Sequence, residues 1–238
     1  MIAREKCVVL VPVAHTVEPL CERGLQELER RGYRVCRVRG HSDIGRGRSE
    51  MATRALDEGY EAIMWIDADV VFIPDDVDAL LASGHPVVGG VYPVKGQRRI
   101  AVRPLAGTKD LTFGEEGDVV EVMYTATGFL LTRREVYERM QTELALPRCG
   151  AGDDSVVPYF LSVVVPDGDG MAYLSEDFSF CHRAREIGHH VMVDTRVRLG
   201  HVGSYVYTVE DAGRDRVLHA SYRYIVDATA ASASAAAE

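Results

Sequence analysis

The sequence lacks the features of a membrane protein, a disulfide-bonded protein or a nucleic-acid-binding protein. Its 238 residues contain no apolar run that approaches a membrane span, and no charged-then-apolar leader precedes the first predicted strand. The five cysteines are an odd number without zinc-site spacing, and most lie in apolar contexts typical of reduced core residues. A net charge of −9 argues against nucleic acid, because phosphate backbones favour basic surfaces. We therefore expect a soluble cytoplasmic protein that has no transmembrane segment and binds no nucleic acid.

Length and composition predict one α/β domain. A chain of 238 residues that is 47% hydrophobic can bury a sizeable core. Short apolar runs, beginning with residues 7–13, alternate with segments of helical periodicity. Such alternation predicts βαβ units and a mostly parallel central sheet flanked by helices. Residues 227–238 are rich in Ala and Ser and can bury little, so we expect a domain over residues 1–226 followed by a tail.

Three further segments have sequence patterns that predict loops or helices. Residues 40–47 contain three glycines and predict a loop, followed by a helix over about residues 48–58. Residues 146–170 have little periodicity and many Gly and Pro residues, which predicts a long irregular loop with a functional role as a cover over a binding site. Ser175 is a good helix cap, so we expect a helix with Glu176 and Asp177 in its first turn.

The most informative stretch is an apolar run that leads into two carboxylates. Residues 62–66 are all apolar, and Asp67-Ala68-Asp69 follows at once. Because desolvating an unpaired carboxylate is costly, these acids should lie where the strand leaves the sheet. In parallel sheets ligands bind outside these strand ends, and alternate carboxylates there suit Mn²⁺ or Mg²⁺ together with phosphate. Two acids in an ordinary surface loop are the alternative interpretation.

Four segments together resemble a known family. Asp67-Ala68-Asp69, then Ser175-Glu176-Asp177 at a helix start, then residues 200–204 (Gly-His-Val-Gly-Ser) resemble GT-A glycosyltransferases, and the family-2-like group in particular. Residues 44–49 resemble that group's Ile-x-Arg-x-Arg-Asn element, except that Ser49 stands where Asn is expected. The resemblance spans about residues 7–207 and implies a single Rossmann-like GT-A domain.

The resemblance also implies a role for each matching position. Asp69 would ligate the Mn²⁺ or Mg²⁺ that holds the donor diphosphate, with His201 as a further ligand. Asp67 would contact the ribose or a metal-bound water. Asp177 would be the general base, or Glu176 if the helix is rotated. The donor nucleotide would lie against the end of the first strand, the arginine-bearing segment and the acid pair, that is, against Pro12, Val13, Ala14, Arg46, Arg48, Asp67, Ala68 and Asp69.

Each of these assignments has a structural alternative. Glu176 and Asp177 also suit a helix start for purely electrostatic reasons, and a lone histidine such as His201 is often structural. Glycine weakens a strand unless another group approaches the backbone, so we expect a sugar or acceptor pocket lined by a further set of residues. Its predicted members are Gly89, Gly90, Tyr92, Thr127 and Gly128; close strand packing and a strand kink are the alternatives. Lys95 is expected either to neutralise phosphate or to be solvated.

These observations predict a metal-dependent glycosyltransferase that moves a sugar from a nucleotide-diphosphate sugar to an unidentified acceptor, with inversion. A cation would stabilise the charge on the leaving diphosphate, and a carboxylate would accept the acceptor's proton. A nucleotidyltransferase is one alternative, although residues 12–16 lack the Gly-rich, basic loop we expect of it. A catalytically inactive nucleotide-sugar-binding module is the other. The sequence does not identify the donor base, the sugar, the acceptor, the oligomeric state or the pathway.

Overall fold

The fold is built from alternating strands and helices along most of the chain. The structure is a computed structural model that describes residues 2–152, 155–212 and 221–226. The helices are α1 (Pro19–Arg30), α2 (Ile44–Asp57), α3 (Pro74–Ala82), α4 (Arg134–Glu143), α5 (Glu176–Glu186) and α6 (Val209–Ala212). The strands are β1 (Cys7–Val13), β2 (Arg34–Arg39), β3 (Ala62–Ile66), β4 (Val70–Val71), β5 (Val87–Val91), β6 (Val102–Pro104), β7 (Asp110–Gly114), β8 (Val119–Thr125), β9 (Phe129–Arg133), β10 (Val163–Asp167), β11 (Gly170–Leu174), β12 (Val191–Arg198), β13 (Gly200–Val202), β14 (Val206–Thr208) and β15 (Ser221–Ile225).

Eight strands form the central sheet, in the order β2-β1-β3-β9-β5-β12-β8-β6. β1 pairs in parallel with β2 and β3, and β5 pairs in parallel with β12. β9 runs antiparallel to β3 and β5, and β8 runs antiparallel to β12 and β6. In the described chain six of the eight strands therefore share one direction. The predicted α/β class, with a mostly parallel sheet flanked by helices, is confirmed.

The core lies on both faces of this sheet. Side chains alternate along each strand, so that Val8 and Leu10 of β1 pack on one face while Val9 and Val11 pack on the other. The apolar stripes of α2, α4 and α5 cover the first face, and those of α1 and α3 cover the second. Strands buried on both faces are continuously apolar, which explains why β1 and β3 form uninterrupted apolar runs in the sequence.

The predicted loop over residues 40–47 is wrong in its second half, because α2 already begins at Ile44. The side chain of Asp43 accepts a hydrogen bond from Arg46 N (3.1 Å) and caps the helix four residues earlier than expected. Gly45 lies against α5, where an added Cβ would be 2.9 Å from Phe160 O and 3.1 Å from Glu176 Cβ. The glycine in this helical turn serves close packing rather than a loop.

The predicted irregular loop over residues 146–170 is also wrong at its end. β10 and β11 form an antiparallel hairpin there, with Val163 paired to Leu174 and Asp167 to Gly170. Ala172 and Leu174 face the core, whereas Val164 and Tyr173 face outward. The loop's predicted role as a cover over the substrates stays a prediction, and Asp153 and Asp154 within it lie outside the described residues.

The structure does not describe the predicted C-terminal tail. The Ala- and Ser-rich residues 227–238 lie outside the described residues, so the boundary at residue 226 stays a prediction. Among the described helices, none has the length and apolar character needed to cross a membrane.

Candidate functional site

The acid pair forms a turn at the end of β3, where the sequence predicts it. Residues 67–69 follow Ile66 directly and lead into β4. Each residue of this turn forms a backbone hydrogen bond with a different distant segment. Asp67 N donates to Gly128 O (2.9 Å), Glu18 N donates to Ala68 O (2.8 Å) and Val202 N donates to Asp69 O (2.8 Å). These bonds fix the positions from which the two carboxylates project.

Arg48 lies beneath the turn as a buried cation. Its side chain is 3% exposed, and Nη2 donates to Asp67 Oδ1 at 2.6 Å. The guanidinium carbon is 5.5 Å from the Trp65 ring centre, and Nε is 3.7 Å from Glu176 Oε1. Burial opposes the charged form of Arg48, but the carboxylates of Asp67 and Glu176 outweigh it and raise the pKa. Arg48 therefore links the acid after β3 to the acid that begins α5.

Two donors of Arg48 remain unsatisfied. Within the part of the chain that the structure describes, Nε and Nη1 are buried and form no hydrogen bond. Thr127 Oγ1 is in the same situation, in the segment that leads into Gly128. Buried polar groups without partners are costly, so the two unpaired donors of Arg48 suit a polar ligand or water.

Arg46 does not share this position. Its side chain is 74% exposed, and Nε donates to Glu50 Oε1 at 2.7 Å one turn further along α2. Of the two arginines predicted to approach the nucleotide, the structure brings only Arg48 to the acid pair.

Asp69 is flanked by an ammonium group and an imidazole. Lys95 Nζ donates to Asp69 Oδ2, and His201 Nε2 lies 3.5 Å from Asp69 Oδ1. Burial alone would raise the pKa of Asp69, but His201 and Lys95 outweigh it and lower the pKa to about 2. His201 Nδ1 is 2.9 Å from Pro93 O, which can only accept, so a neutral ring carries its hydrogen on Nδ1. In the neutral ring, Nε2 would present its lone pair to a cation bound at Asp69.

This donor set fits a divalent cation that is shared with a phosphate. A carboxylate and an imidazole are suitable ligands, and a carbonyl on the far ring nitrogen is the usual support of a metal-ligating histidine. Over residues 2–152, 155–212 and 221–226, no three His, Cys, Asp or Glu side chains form a cluster that could hold a metal by itself. Asp67, the third predicted ligand, does not complete such a cluster, and its Oδ1 binds Arg48. A cation here would have Asp69 and His201 as its two protein ligands and would need water or phosphate oxygens to complete its coordination.

The first turn of α5 brings two more carboxylates to the site. Ser175 is its N-cap residue, as predicted, and its Oγ donates to Asp177 Oδ1. Phe178 N donates to the same oxygen at 2.7 Å. Burial raises the pKa of Asp177, and these two bonds offset part of that rise. Burial and the charge of Asp177 likewise raise the pKa of Glu176.

Tyr92 contacts both Gly128 and His201. Its hydroxyl accepts a hydrogen bond from Gly128 N at 3.0 Å, and its ring packs edge-on against His201 with centroids 5.0 Å apart. Burial raises the pKa of Tyr92, and the charges of Asp67 and Asp177 add to that rise. A Cβ on Gly128 would overlap the hydroxyl and lie 2.7 Å from Asp67 Oδ2. Only glycine fits between these polar groups.

Gly89 and Gly90, predicted to line a sugar pocket, are closely packed against neighbouring segments, and their pocket role stays a prediction. A Cβ on Gly89 would lie 2.7 Å from Phe129 O. A Cβ on Gly90 would lie 2.7 Å from Leu199 Cδ1 and 2.8 Å from Val197 Cγ1. Because core atoms of neighbouring strands fill this space, the glycines let β5 approach its neighbours closely.

The end of β1 lies beside the acid pair. Leu10 pairs with Trp65 in parallel register, which brings Pro12 level with Asp67 two residues later. Pro12 and Val13 are buried, while Ala14 is exposed at the strand end. This placement is compatible with the predicted contact to a nucleotide, which no observation tests.

Known proteins resemble this chain in structure only. Neither a protein-family model nor a curated protein matches the sequence. The solved structure of A197 from STIV is 17% identical, with a TM-score of 0.57 over 93% of this chain and 94% of that one. TarS 1-349 from S. aureus is 13% identical, with a TM-score of 0.40 over 86% and 61% of the two chains. The inositol-1-phosphate CTP transferase from T. maritima is 14% identical, with a TM-score of 0.35 over 83% and 70%.

The likeness to A197 shows a shared fold and nothing about activity. The likenesses to the other two proteins are too weak to carry an argument. What this site does must therefore be argued from its own residues.

Proposed function

We propose that this chain transfers a sugar from a nucleotide-diphosphate sugar to an acceptor hydroxyl, using Mn²⁺ or Mg²⁺. One observation carries the proposal. A single three-residue turn connects a carboxylate–imidazole pair, Asp69 and His201, to the carboxylates at the start of α5 through Asp67 and the buried Arg48. A nucleotide-sugar transfer needs both halves, one for the diphosphate and one for the incoming hydroxyl.

The donor half suits a diphosphate. A cation bound at Asp69 and His201 would supply Lewis-acid stabilisation of the negative charge on the leaving diphosphate. Lys95 and Arg48 add two positive charges on either side of the turn. Arg48 binds Asp67 through Oδ1, and we assign Oδ2 to a ribose hydroxyl.

The acceptor half suits direct displacement. The acceptor oxygen forms a bond to the anomeric carbon while the bond from that carbon to the diphosphate oxygen breaks with its electron pair. The hydroxyl proton passes to a carboxylate, for which we propose Asp177. Its raised pKa strengthens it as a base, and its two hydrogen bonds hold it in place. Glu176 is the weaker candidate because it faces the Arg48 guanidinium.

A thermal-shift screen tests the donor half. UDP, GDP, CDP, ADP and dTDP are each added with and without Mn²⁺, because a ligand at 100 times its Kd stabilises the native state by about 2.7 kcal/mol. We expect a shift for one nucleotide that needs Mn²⁺ and disappears in Asp69→Ala. Asp110→Ala, which removes an exposed acid on β7, is the matched control and should keep the shift.

The outcomes separate the competing functions. The corresponding triphosphates are screened in the same way: shifts with triphosphates but not with diphosphates would overturn the proposal in favour of nucleotidyl transfer, and no shift with any nucleotide would overturn it outright. Once the donor is known, Asp177→Asn should abolish transfer while keeping the Mn²⁺-dependent shift. Full transfer by that variant would remove Asp177 from the mechanism, and binding without transfer by the wild type would indicate an inactive module.

A further inference from the structure

We propose that Lys95 is a movable counter-ion, which neutralises Asp69 when the site holds no cation and moves to the donor diphosphate when Asp69 binds one. This inference deepens the proposed function and rests on it. Lys95 thereby competes with the cation for Asp69 but assists the nucleotide, so removing its charge has opposite effects on the two ligands.

The turn after β5 places Lys95 at the cation site. Val94 N donates to Arg99 O (2.9 Å) and Gln97 N donates to Val94 O (3.1 Å), which closes the turn that carries Lys95. Pro93 in the same segment supplies the carbonyl that holds His201. One short segment therefore orients the imidazole and presents the ammonium group to the same carboxylate.

Lys95 occupies an oxygen that a cation would need. Its Nζ binds Asp69 Oδ2, while Oδ1 faces His201 Nε2. An ammonium group and a divalent cation on one carboxylate repel each other, so binding of the cation displaces Nζ. The site thus resists a cation that arrives without its phosphate.

The displaced ammonium group has room to move. The Lys95 side chain is 36% exposed and that of Asp69 is 33% exposed, so their contact lies on the open side of the site. A four-carbon stem lets Nζ swing without moving the backbone. A diphosphate bound to the cation would offer Nζ new oxygens nearby.

The alternative is a fixed surface ion pair, which contributes little by itself. A fixed pair that supports the shape of the site predicts weaker Mn²⁺ binding when Lys95 is changed. A movable counter-ion predicts tighter Mn²⁺ binding, and this difference in sign makes the test decisive.

The experiment measures Mn²⁺ binding directly, by the loss of the free-ion EPR signal, in the full-length protein without nucleotide. Lys95→Met removes the charge and keeps an apolar stem, and we expect it to bind Mn²⁺ about tenfold more tightly than the wild type. Lys109→Met, which removes an exposed charge ahead of β7, should leave Mn²⁺ affinity unchanged. Asp69→Asn in the Lys95→Met background should abolish the gain, which locates the ion.

The second measurement is the affinity for the nucleoside diphosphate found in the screen, at saturating Mn²⁺. We expect about a tenfold loss in Lys95→Met and recovery in Lys95→Arg, which restores a cation at the same position. Unchanged or weaker Mn²⁺ binding by Lys95→Met overturns the proposal, as does unchanged nucleotide affinity. If the wild type binds no nucleoside diphosphate under any condition, the proposed function fails first; if it binds one and Lys95→Met behaves like the wild type, only the role of Lys95 fails. Should Lys95→Met not fold, Lys95→Gln replaces it.

Discussion

Asp76 makes the stability of this protein depend on pH in a direction that can be measured. It lies in the first turn of α3, is 9% exposed, and accepts a hydrogen bond from Ile73 N at 3.2 Å. Burial raises its pKa from 3.8 to about 6, and the charges of Asp75 and Asp194 add to that rise. The native pKa is therefore higher than the unfolded one. The stability that the protonated group contributes is complete below pH 3.8 and is lost as the pH rises through about 6.

The size of the effect follows from the shift. A difference of about two pKa units is worth about 3 kcal/mol over the whole titration, at about 1.4 kcal/mol per unit. About 2 kcal/mol of it falls between about pH 4.5 and about pH 8. Asp76→Asn keeps an acceptor for the Ile73 amide but carries no charge at either pH. We expect this variant to gain about 2 kcal/mol over the wild type between the two pH values, because only the wild type ionises a buried group.

Urea unfolding of both proteins at the two pH values measures this gain. Changes in packing or capping affect the variant equally at both values, so the difference between the two comparisons isolates the titration of Asp76. A gap between the proteins that does not change with pH would show that the carboxylate is not desolvated, and the reasoning would fail.

Two further predictions concern side chains that the fold holds tightly, both measured by urea unfolding. Arg48→Met should destabilise the protein by about 2 kcal/mol, because it leaves two partly buried carboxylates without their shared cation, whereas the exposed Arg46→Met should cost less than about 0.5 kcal/mol. Equal effects of the two arginines would contradict the buried position of Arg48. Gly90→Ala should cost about 1–3 kcal/mol, because its Cβ would lie 2.7 Å from Leu199 Cδ1. Gly170→Ala, where the nearest atom is 3.8 Å away, is its control, and a neutral Gly90→Ala would show that β5 has room to spare.

The position of the acid pair could be predicted because few arrangements suit an apolar strand followed by two carboxylates. The run over residues 62–66 must be buried and Asp67 must not be, so the strand has to end between them. The start of α5 was predictable because Ser175 followed by two acids is a typical helix start, although the Ser175 hydroxyl donates to Asp177 rather than accepting from the helix backbone.

Local sequence patterns do not show whether a glycine is needed for a tertiary contact. Gly45 and Gly47 suggested a loop, but helix α2 needs them for its approach to α5 and to His41. Gly89 and Gly90 suggested a ligand site; the nearest atoms belong to β9, β12 and Leu199, and the ligand role stays a prediction. A single sequence does not state which atom comes close to a glycine.

The burial of Arg48 is indicated by a sequence pattern that we recognised only with the structure. Arg48 shares the core-facing side of α2 with Met51, Ala52 and Ala55, which are three, four and seven residues further along. An arginine on an apolar face implies a buried partner, here Asp67. The contact between Lys95 and Asp69 had no such signal, because it depends on how the turn after β5 folds back across 26 residues of chain.

Because three backbone hydrogen bonds hold residues 67–69, ligand binding at this turn depends on the local stability of three distant segments. Glu18, Gly128 and Val202 come from the first, middle and last thirds of the sequence, and each supplies one bond. If any one of these segments opens locally, the turn loses an anchor, so the affinity for a ligand at the turn reports on regions far from it. By reciprocity, a bound ligand should slow amide hydrogen exchange at Glu18 and Val202, although neither needs to touch it.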